Sequence, residues 1–244
     1  MKILSIDTSS KICSVAVLDN KNVLKEENLN NGLTHSESLM PLIEQILIDT
    51  NLALKDINLI VCDLGPGSFT GIRIGVATAK AFRDSLNIPT VGVSSLEVLA
   101  HNLKTDTIIC SLIDAKNENV YLEVFEKEAN NYNSIYPATF SNIDEFLLNL
   151  SNKYKNITFV GDGALNYKNK ILKYFPTSTI SDCNDLSAVN LALAGLSKFK
   201  KSEFSNLEPL YLRKSSAELA KRKLFGLIIL LIFSNHYALR KEWD

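Results

Sequence analysis

An apolar strand that ends in aspartate and folds straight back on itself occurs twice in this chain, and few folds accommodate such a duplication. Residues 3–7 run into Thr8-Ser9-Ser10-Lys11 and return as residues 14–18; residues 108–114 run into Lys116-Asn117-Glu118-Asn119 and return as residues 120–125. The echo continues downstream. Residues 59–63 form a short apolar strand that meets Gly65-Pro66-Gly67-Ser68, and residues 157–160 meet Gly161-Asp162-Gly163-Ala164. This repetition predicts an α/β chain of two similar lobes, residues 1–104 and 105–216, followed by an apolar tail, residues 217–244.

Within the first half, Asn20-Lys21-Asn22 turns the chain into a third strand over 23–29. Thr34-His35-Ser36-Glu37 has the form of a capping box, with a hydroxyl at the N-cap and a carboxylate three residues on. Leu39, Leu42, Ile43, Ile46 and Leu47 follow at helical spacing. Pro41 falls inside that pattern and predicts a kink or a separate first turn. A helix starts at Ser68 or Phe69, a strand covers 90–93, and a helix covers 95–103. In the second half, Asn130-Asn131-Tyr132-Asn133-Ser134 reads as a loop, residues 185–200 as an amphipathic helix, and residues 208–213 as a closing segment.

Four of the ten glycines lie between Gly65 and Gly75, and Gly67, Gly71, Gly75 and Ala79 recur every fourth residue. Glycine inside a helix costs about 1 kcal/mol relative to alanine, so the strip needs a compensating close approach of another element. The expected beneficiary is a partner helix, with Phe69, Ile72, Val76 and Phe82 turned to the sheet. A second use competes. Glycine loops that open helices present amides to anions, and an aspartate before a hydroxyl-rich turn can hold hydrated magnesium beside phosphate. Asp7, Thr8, Ser9, Gly65, Gly67 and Ser68 are therefore the candidates for nucleotide binding. The loop follows neither the Walker nor the dinucleotide pattern, and His35, His101 and His236 form no metal-ligand spacing.

Lys plus Arg total 26 against 27 for Asp plus Glu, a net charge of −1 over 244 residues. A domain that grips nucleic acid unaided carries a basic excess, so an RNA role is expected to run through a partner. Cys13, Cys62, Cys110 and Cys183 form no CxxC pair and read as small buried hydrophobes of a reduced, cytoplasmic protein. The opening residues form a strand pattern rather than a secretory leader. Residues 224–233 read LFGLIILLIF, short of the roughly 20 apolar residues of a membrane span. Their basic flanks suit an interfacial segment; a buried helix or strand and an exposed sticky patch are the other readings.

These motifs together, with Val91-Gly92-Val93-Ser94-Ser95-Leu96-Glu97, Asp114-Ala115 and Pro209-Leu210-Tyr211-Leu212-Arg213, resemble the bacterial TsaB (YeaZ) family over about residues 1–216. The resemblance implies the duplicated actin-like fold shared by hexokinase, actin and chaperone ATPases. It also implies a role in making threonylcarbamoyladenosine beside the anticodon of tRNA. The transfer chemistry there belongs to a paralogue, TsaD, with a metal-binding histidine pair; a small ATPase, TsaE, joins the complex. The chain is accordingly expected to be a pseudoenzyme that pairs with TsaD, or with itself when alone, and touches tRNA only through the complex, with no membrane role. No cofactor is obligatory, although ATP or ADP with Mg can enter at the complex. Thr34, His35, Leu39, Ile43, Gly67, Gly71, Gly75 and Ala79 are the expected interface residues. The alternative is an actin-like ATPase or phosphotransferase with Asp7 and the loop 65–68 at phosphate. An older protease attribution for the wider family finds no nucleophile–base pair in this sequence. The turn Thr8-Ser9-Ser10 lacks the glycine of active phosphotransferases of that superfamily, and the tail departs from the family's usual ending.

Overall fold

The computed structural model describes residues 1–30, 32–104, 107–129, 131–201 and 207–213. Met1–Leu210 form one compact unit and Tyr211–Asp244 a second, of which only the first three residues are described. The tail 217–244 thus lies outside the described residues.

The first sheet is built from β1 (Lys2–Asp7), β2 (Cys13–Asp19), β3 (Asn22–Leu29), β4 (Leu59–Asp63) and β5 (Thr90–Val93), in the order β3-β2-β1-β4-β5. β1 pairs antiparallel with β2 and parallel with β4, and β4 pairs parallel with β5. The second sheet uses β6 (Thr107–Asp114), β7 (Asn119–Glu128), β8 (Asn131–Asn142), β9 (Thr158–Val160) and β10 (Thr179–Ile180), in the corresponding order β8-β7-β6-β9-β10. β6 likewise runs antiparallel to β7 and parallel to β9.

Each sheet carries helices on both faces, as burial of both faces of parallel strands requires. On one face of the first sheet lie α1 (His35–Asp49) and α2 (Phe69–Leu86), whose Leu39, Ile43, Ile46, Ile72, Val76 and Phe82 join Leu4, Ile6, Val15, Val17 and Ile60 in the core. On the corresponding face of the second lie α4 (Ile143–Ser151), α5 (Asp162–Asn166) and α6 (Lys168–Tyr174), packed around Leu112, Leu122 and Phe159.

The remaining two helices change sides. α3 (Ser95–Ala100) follows β5, yet its Leu99 and Ala100 pack with Ile109, Phe125 and Val160 of the second sheet. α7 (Ala188–Lys200) follows the second sheet, yet its Ala188, Leu191, Ala192 and Ala194 pack on Ile3, Ala16, Leu59 and Val61 of the first. Two side-chain contacts fix α7 there. The Ser5 hydroxyl on β1 donates to the Ala188 carbonyl at 2.6 Å. Glu26 on β3 accepts from the Ser187 hydroxyl at 2.9 Å and the Val189 amide at 3.1 Å, a carboxylate at the positive end of the helix.

Several expectations need revision. α1 is one helix through Pro41, without a separate first turn. The polar stretch at 130–134 belongs to strand β8, apart from Asn130, which lies outside the described residues. β8 is an edge strand, and its Pro137 falls where the register with β7 shifts between Leu122 and Val124. Edges and bulges are where a sheet tolerates a residue with no amide proton. α3 ends at Ala100, and α7 begins after the Ser187 cap rather than at Asp185. Cys13, Cys62 and Cys110 are buried free thiols inside strands, whereas Cys183 is exposed. Phe69 is exposed too, with the Arg73 guanidinium 3.9 Å above its ring. No helix among the described residues is long and apolar enough to cross a membrane.

Gly195 lets α7 approach β4, because a methyl group there would collide with both γ-carbons of Val61. Gly195→Ala is expected to lower stability by about 1–3 kcal/mol, read as a lower urea midpoint at unchanged denaturant slope.

Candidate functional site

The carboxyl ends of β1 and β4 bring together most of the residues singled out for phosphate. β1 and β4 are parallel with Ile6 opposite Cys62, so Asp7 and Asp63 end neighbouring strands. Each closes its own turn. Asp7 Oδ1 accepts the Ser9 amide at 2.7 Å, and Asp63 Oδ1 accepts the Gly65 amide at 2.6 Å and the Ser95 hydroxyl at 2.6 Å. Gly65 makes its turn with φ +91°, a conformation glycine adopts without steric cost.

The glycine loop then lies directly on the β1–β2 turn. The Ser68 amide donates to the Ser9 carbonyl at 2.6 Å, and the Thr8 hydroxyl donates to the Gly71 carbonyl at 2.7 Å. A methyl group on Gly67 would overlap the Ser9 carbonyl oxygen, one on Gly71 the Thr8 carbonyl oxygen, and one on Gly75 the Thr8 hydroxyl. Ser68 caps α2 by accepting the Gly71 amide at 3.2 Å. The capping box at Thr34 also forms, with the Thr34 amide donating to Glu37 at 3.0 Å. His35, half-buried, bonds through Nε2 to the Ser10 carbonyl at 2.8 Å and so ties α1 to the same turn.

This geometry bears on both sets of candidate residues. The small-residue strip is no docking surface. Gly71, Gly75 and Ala79 are buried inside their own lobe, and Gly67 sits against Ser9. Leu39 and Ile43 belong to the core, and His35 is committed to the turn, so among the expected interface residues only Thr34 is exposed. Close approach was the right reason for the glycines; the neighbour is the β1–β2 turn. Of the nucleotide candidates, Gly65 is buried, Gly67 half-buried and Ser68 exposed. Asp7, Thr8 and Ser9 are buried, and the amides of Ser9, Gly65, Ser68 and Gly71 are all engaged within the chain.

Asp7 Oδ2, Asp63 Oδ2 and the Ser9 hydroxyl are buried without a hydrogen-bond partner in the structure, although Ser9 lies near enough to act on both carboxyls. Burial pushes the Asp7 carboxyl up, against the Ser9 donors and the His35 ring. Burial and then the Asp7 charge push Asp63 well above the ordinary carboxylate range. The donor set does not fit magnesium. That ion takes six oxygens in near-octahedral array and keeps several waters, whereas these three oxygens are sealed from solvent. Among the described residues no three His, Cys, Asp or Glu side chains form a metal cluster.

The counterpart in the second half is saturated instead. Asp114 Oδ1 accepts the Lys116 amide at 2.8 Å, repeating the Asp7–Ser9 turn, and the Tyr167 hydroxyl at 3.1 Å. Its Oδ2 takes Lys116 Nζ at 2.8 Å and Asn166 Nδ2 at 3.0 Å. Partial burial raises this carboxyl, but the donors outweigh it and leave it below the ordinary value.

Sequence reading had passed over Asp63 and Ser95. The signal available was the second strand ending in aspartate; what it lacked was the parallel pairing that sets Asp63 beside Asp7. It also passed over the outward face of α1 and α2. Met40, Glu44 and Ile48 on α1 are exposed one turn apart, as are Phe69, Arg73, Ala77 and Ala81 on α2.

Residues 30–221 match the family model described as TsaD: tRNA N6-adenosine threonylcarbamoyltransferase. A Bacillus subtilis (strain 168) protein named tRNA threonylcarbamoyladenosine biosynthesis protein TsaB is 33% identical over 223 residues, covering 89% of this chain and 96% of that protein. A Haemophilus influenzae protein of the same name is 27% identical over 237 residues, covering 93% and 98%. Among solved structures, an uncharacterized Pseudomonas aeruginosa protein with similarity to peptidase YeaZ superposes with a TM-score of 0.74 at 24% identity, covering 87% of this chain and 99% of that one. A ROK hexokinase from Thermus thermophilus gives 0.52 at 10% identity, covering 82% and 100%. The fold is therefore the duplicated actin-like α/β fold that the repeated halves and the family resemblance led us to expect.

Gly71→Ala is expected to cost on the order of 3 kcal/mol, since neither backbone can yield. Thr8→Val, which removes the donor to the Gly71 carbonyl, is expected to cost about 1–3 kcal/mol. Both losses are to be read by denaturant unfolding of the isolated chain, with no partner present.

Proposed function

Because the chain belongs to the TsaB (YeaZ) family of tRNA threonylcarbamoyladenosine biosynthesis proteins, we propose that it is the non-catalytic partner of a TsaD-type threonylcarbamoyltransferase. The observation that carries this reading is the apolar outward face of α1 and α2. Met40 is 50% and Ile48 65% exposed, Phe69 39% and Leu86 43%, alongside exposed Ala77 and Ala81. Ala77 and Ala81 follow Arg73 at four-residue spacing, so a stripe of small side chains does face outward, two residues out of phase with the glycine strip. Small side chains on one helix admit the ridges of another, and large apolar neighbours supply the area that drives association. Both helices stand on a rigid core, so the surface is preformed.

The sealed turn supports the non-catalytic part. A phosphate loop must offer amides to its ligand, and here the amides of Ser9, Gly65, Ser68 and Gly71 serve to hold the loop down on the turn. Without a basic excess the chain meets tRNA in company with TsaD rather than alone. A TsaE-type ATPase is a further member of the assembly. Free of TsaD, the same outward face pairs two copies in an isologous dimer.

Met40→Glu combined with Ala77→Arg changes only exposed positions. The double variant is expected to keep the wild-type circular dichroism and unfolding midpoint and to bind TsaD at least about 30-fold more weakly, the loss of a central anchor. Isothermal titration checks this, and unchanged affinity in a folded variant overturns the assigned face. The isolated chain is expected to show no magnesium-dependent ATP turnover above background; turnover abolished by Asp7→Asn would instead establish the phosphotransferase reading.

A further inference from the structure

The chain leaves its first half through the residues that follow α3 and comes back through the stretch between β10 and α7. Lobes joined by such crossings move relative to one another by default, bending at a few loop residues. Here every residue from 101 to 104 is tied to a distant part of the chain. His101 stacks on Tyr132 of β8, with ring centroids 3.9 Å apart and planes at 25°. The Tyr132 hydroxyl donates to the Leu103 carbonyl at 2.9 Å, and Lys127 Nζ donates to the Lys104 carbonyl at 2.8 Å. Lys127 and Tyr132 stand opposite each other on β7 and β8, so one cross-strand pair grips two consecutive carbonyls. Lys127 is buried, and its ammonium also donates to the Ala129 carbonyl at 2.9 Å. A buried ammonium holds such acceptors strongly, because water does not replace them when they withdraw.

Asn102 reaches the other way. Its Nδ2 donates to the Cys183 carbonyl at 3.1 Å and the Asp185 carbonyl at 3.0 Å, joining the outgoing crossing to the returning one. Its Oδ1 accepts from Asn190 Nδ2 on α7 at 2.6 Å, so the carboxamide is used at both ends. The returning stretch is anchored to the second sheet as well, where Asn184 Oδ1 accepts the Gly161 amide at 2.8 Å. We propose that these contacts form a locked hinge. Asn102 rivets the two crossings together, Lys127 and Tyr132 clamp the outgoing one, and the two halves keep a single angle with or without nucleotide. The packing reinforces the lock. Because α3 lies on the second sheet and α7 on the first, any change of angle drags each helix off the sheet it covers. Closure of lobes, by which many enzymes shut a substrate away from water, is thereby denied to this chain.

Spin labels on Lys55→Cys and Lys168→Cys, exposed positions in different halves, read the angle in a Cys183→Ser background; Cys13, Cys62 and Cys110 are buried. With the hinge intact, the full chain is expected to give one narrow distance that magnesium-ATP leaves unchanged. Asn102→Asp keeps the acceptor for Asn190 but sets a carboxylate against two carbonyls. Tyr132→Phe keeps the ring on His101 and loses the hydroxyl. The two substitutions together are expected to preserve the circular dichroism and broaden the distance distribution. They are also expected to speed hydrogen exchange at the Gly161 and Cys183 amides on the order of tenfold. Tyr132→Phe alone, the milder change, is expected to broaden the distribution less and serves if the double variant does not fold. Two distances with the hinge intact, or one that shifts on adding magnesium-ATP, overturn the proposal whatever the variants do. So does a folded double variant as narrow in distance and as protected from exchange as its parent.

Discussion

The seating of one backbone on another, the glycine loop at the start of α2 on the turn between β1 and β2, is the constraint on which the rest of the first half depends. The Ser68–Ser9 and Thr8–Gly71 hydrogen bonds exist only because no side chain stands at Gly67 or Gly71. From that seating follow the angle at which α2 leaves the sheet, the burial of Ile72 and Val76, and the surface that α2 shows outward. It also determines what the turn can no longer do. Amides that would receive an anion in an open loop are spent on cohesion.

The two halves make opposite use of one device. Asp7 and Asp114 each end a first strand and each accept the amide two residues on. Around Asp114 the space is filled by Lys116, Asn166 and Tyr167, which satisfy the carboxylate and keep it ionised. Around Asp7 the glycine backbone closes the space, and burial outweighs the Ser9 donors and the His35 ring to push the carboxyl up. Duplicated architecture thus carries one carboxyl held below its ordinary value and one pushed above it at the same turn, and the difference lies in what closes over it.

Much of this was legible from residue order alone, for identifiable reasons. The paired strands, the capping box at Thr34 and the helix after Ser68 announced themselves because each is specified by near neighbours. β8 did not, since an edge strand with polar side chains and a proline at its bulge carries little of the alternation by which strands are recognised. The glycine recurrence was read rightly as a demand for close approach and wrongly as to what approaches, because periodicity names a bare face and says nothing of its occupant. Asp63 gained its meaning only from parallel pairing with β1, a relation between residues far apart in sequence.

The exchange of α3 and α7 between the sheets bears on how such a molecule can arise and be divided. Each half lends its last helix to the other, so a cut at the midpoint would leave both fragments with a greasy sheet face bare and a helix with nowhere to lie. Covalent linkage of the two halves keeps each lent helix beside the sheet it covers.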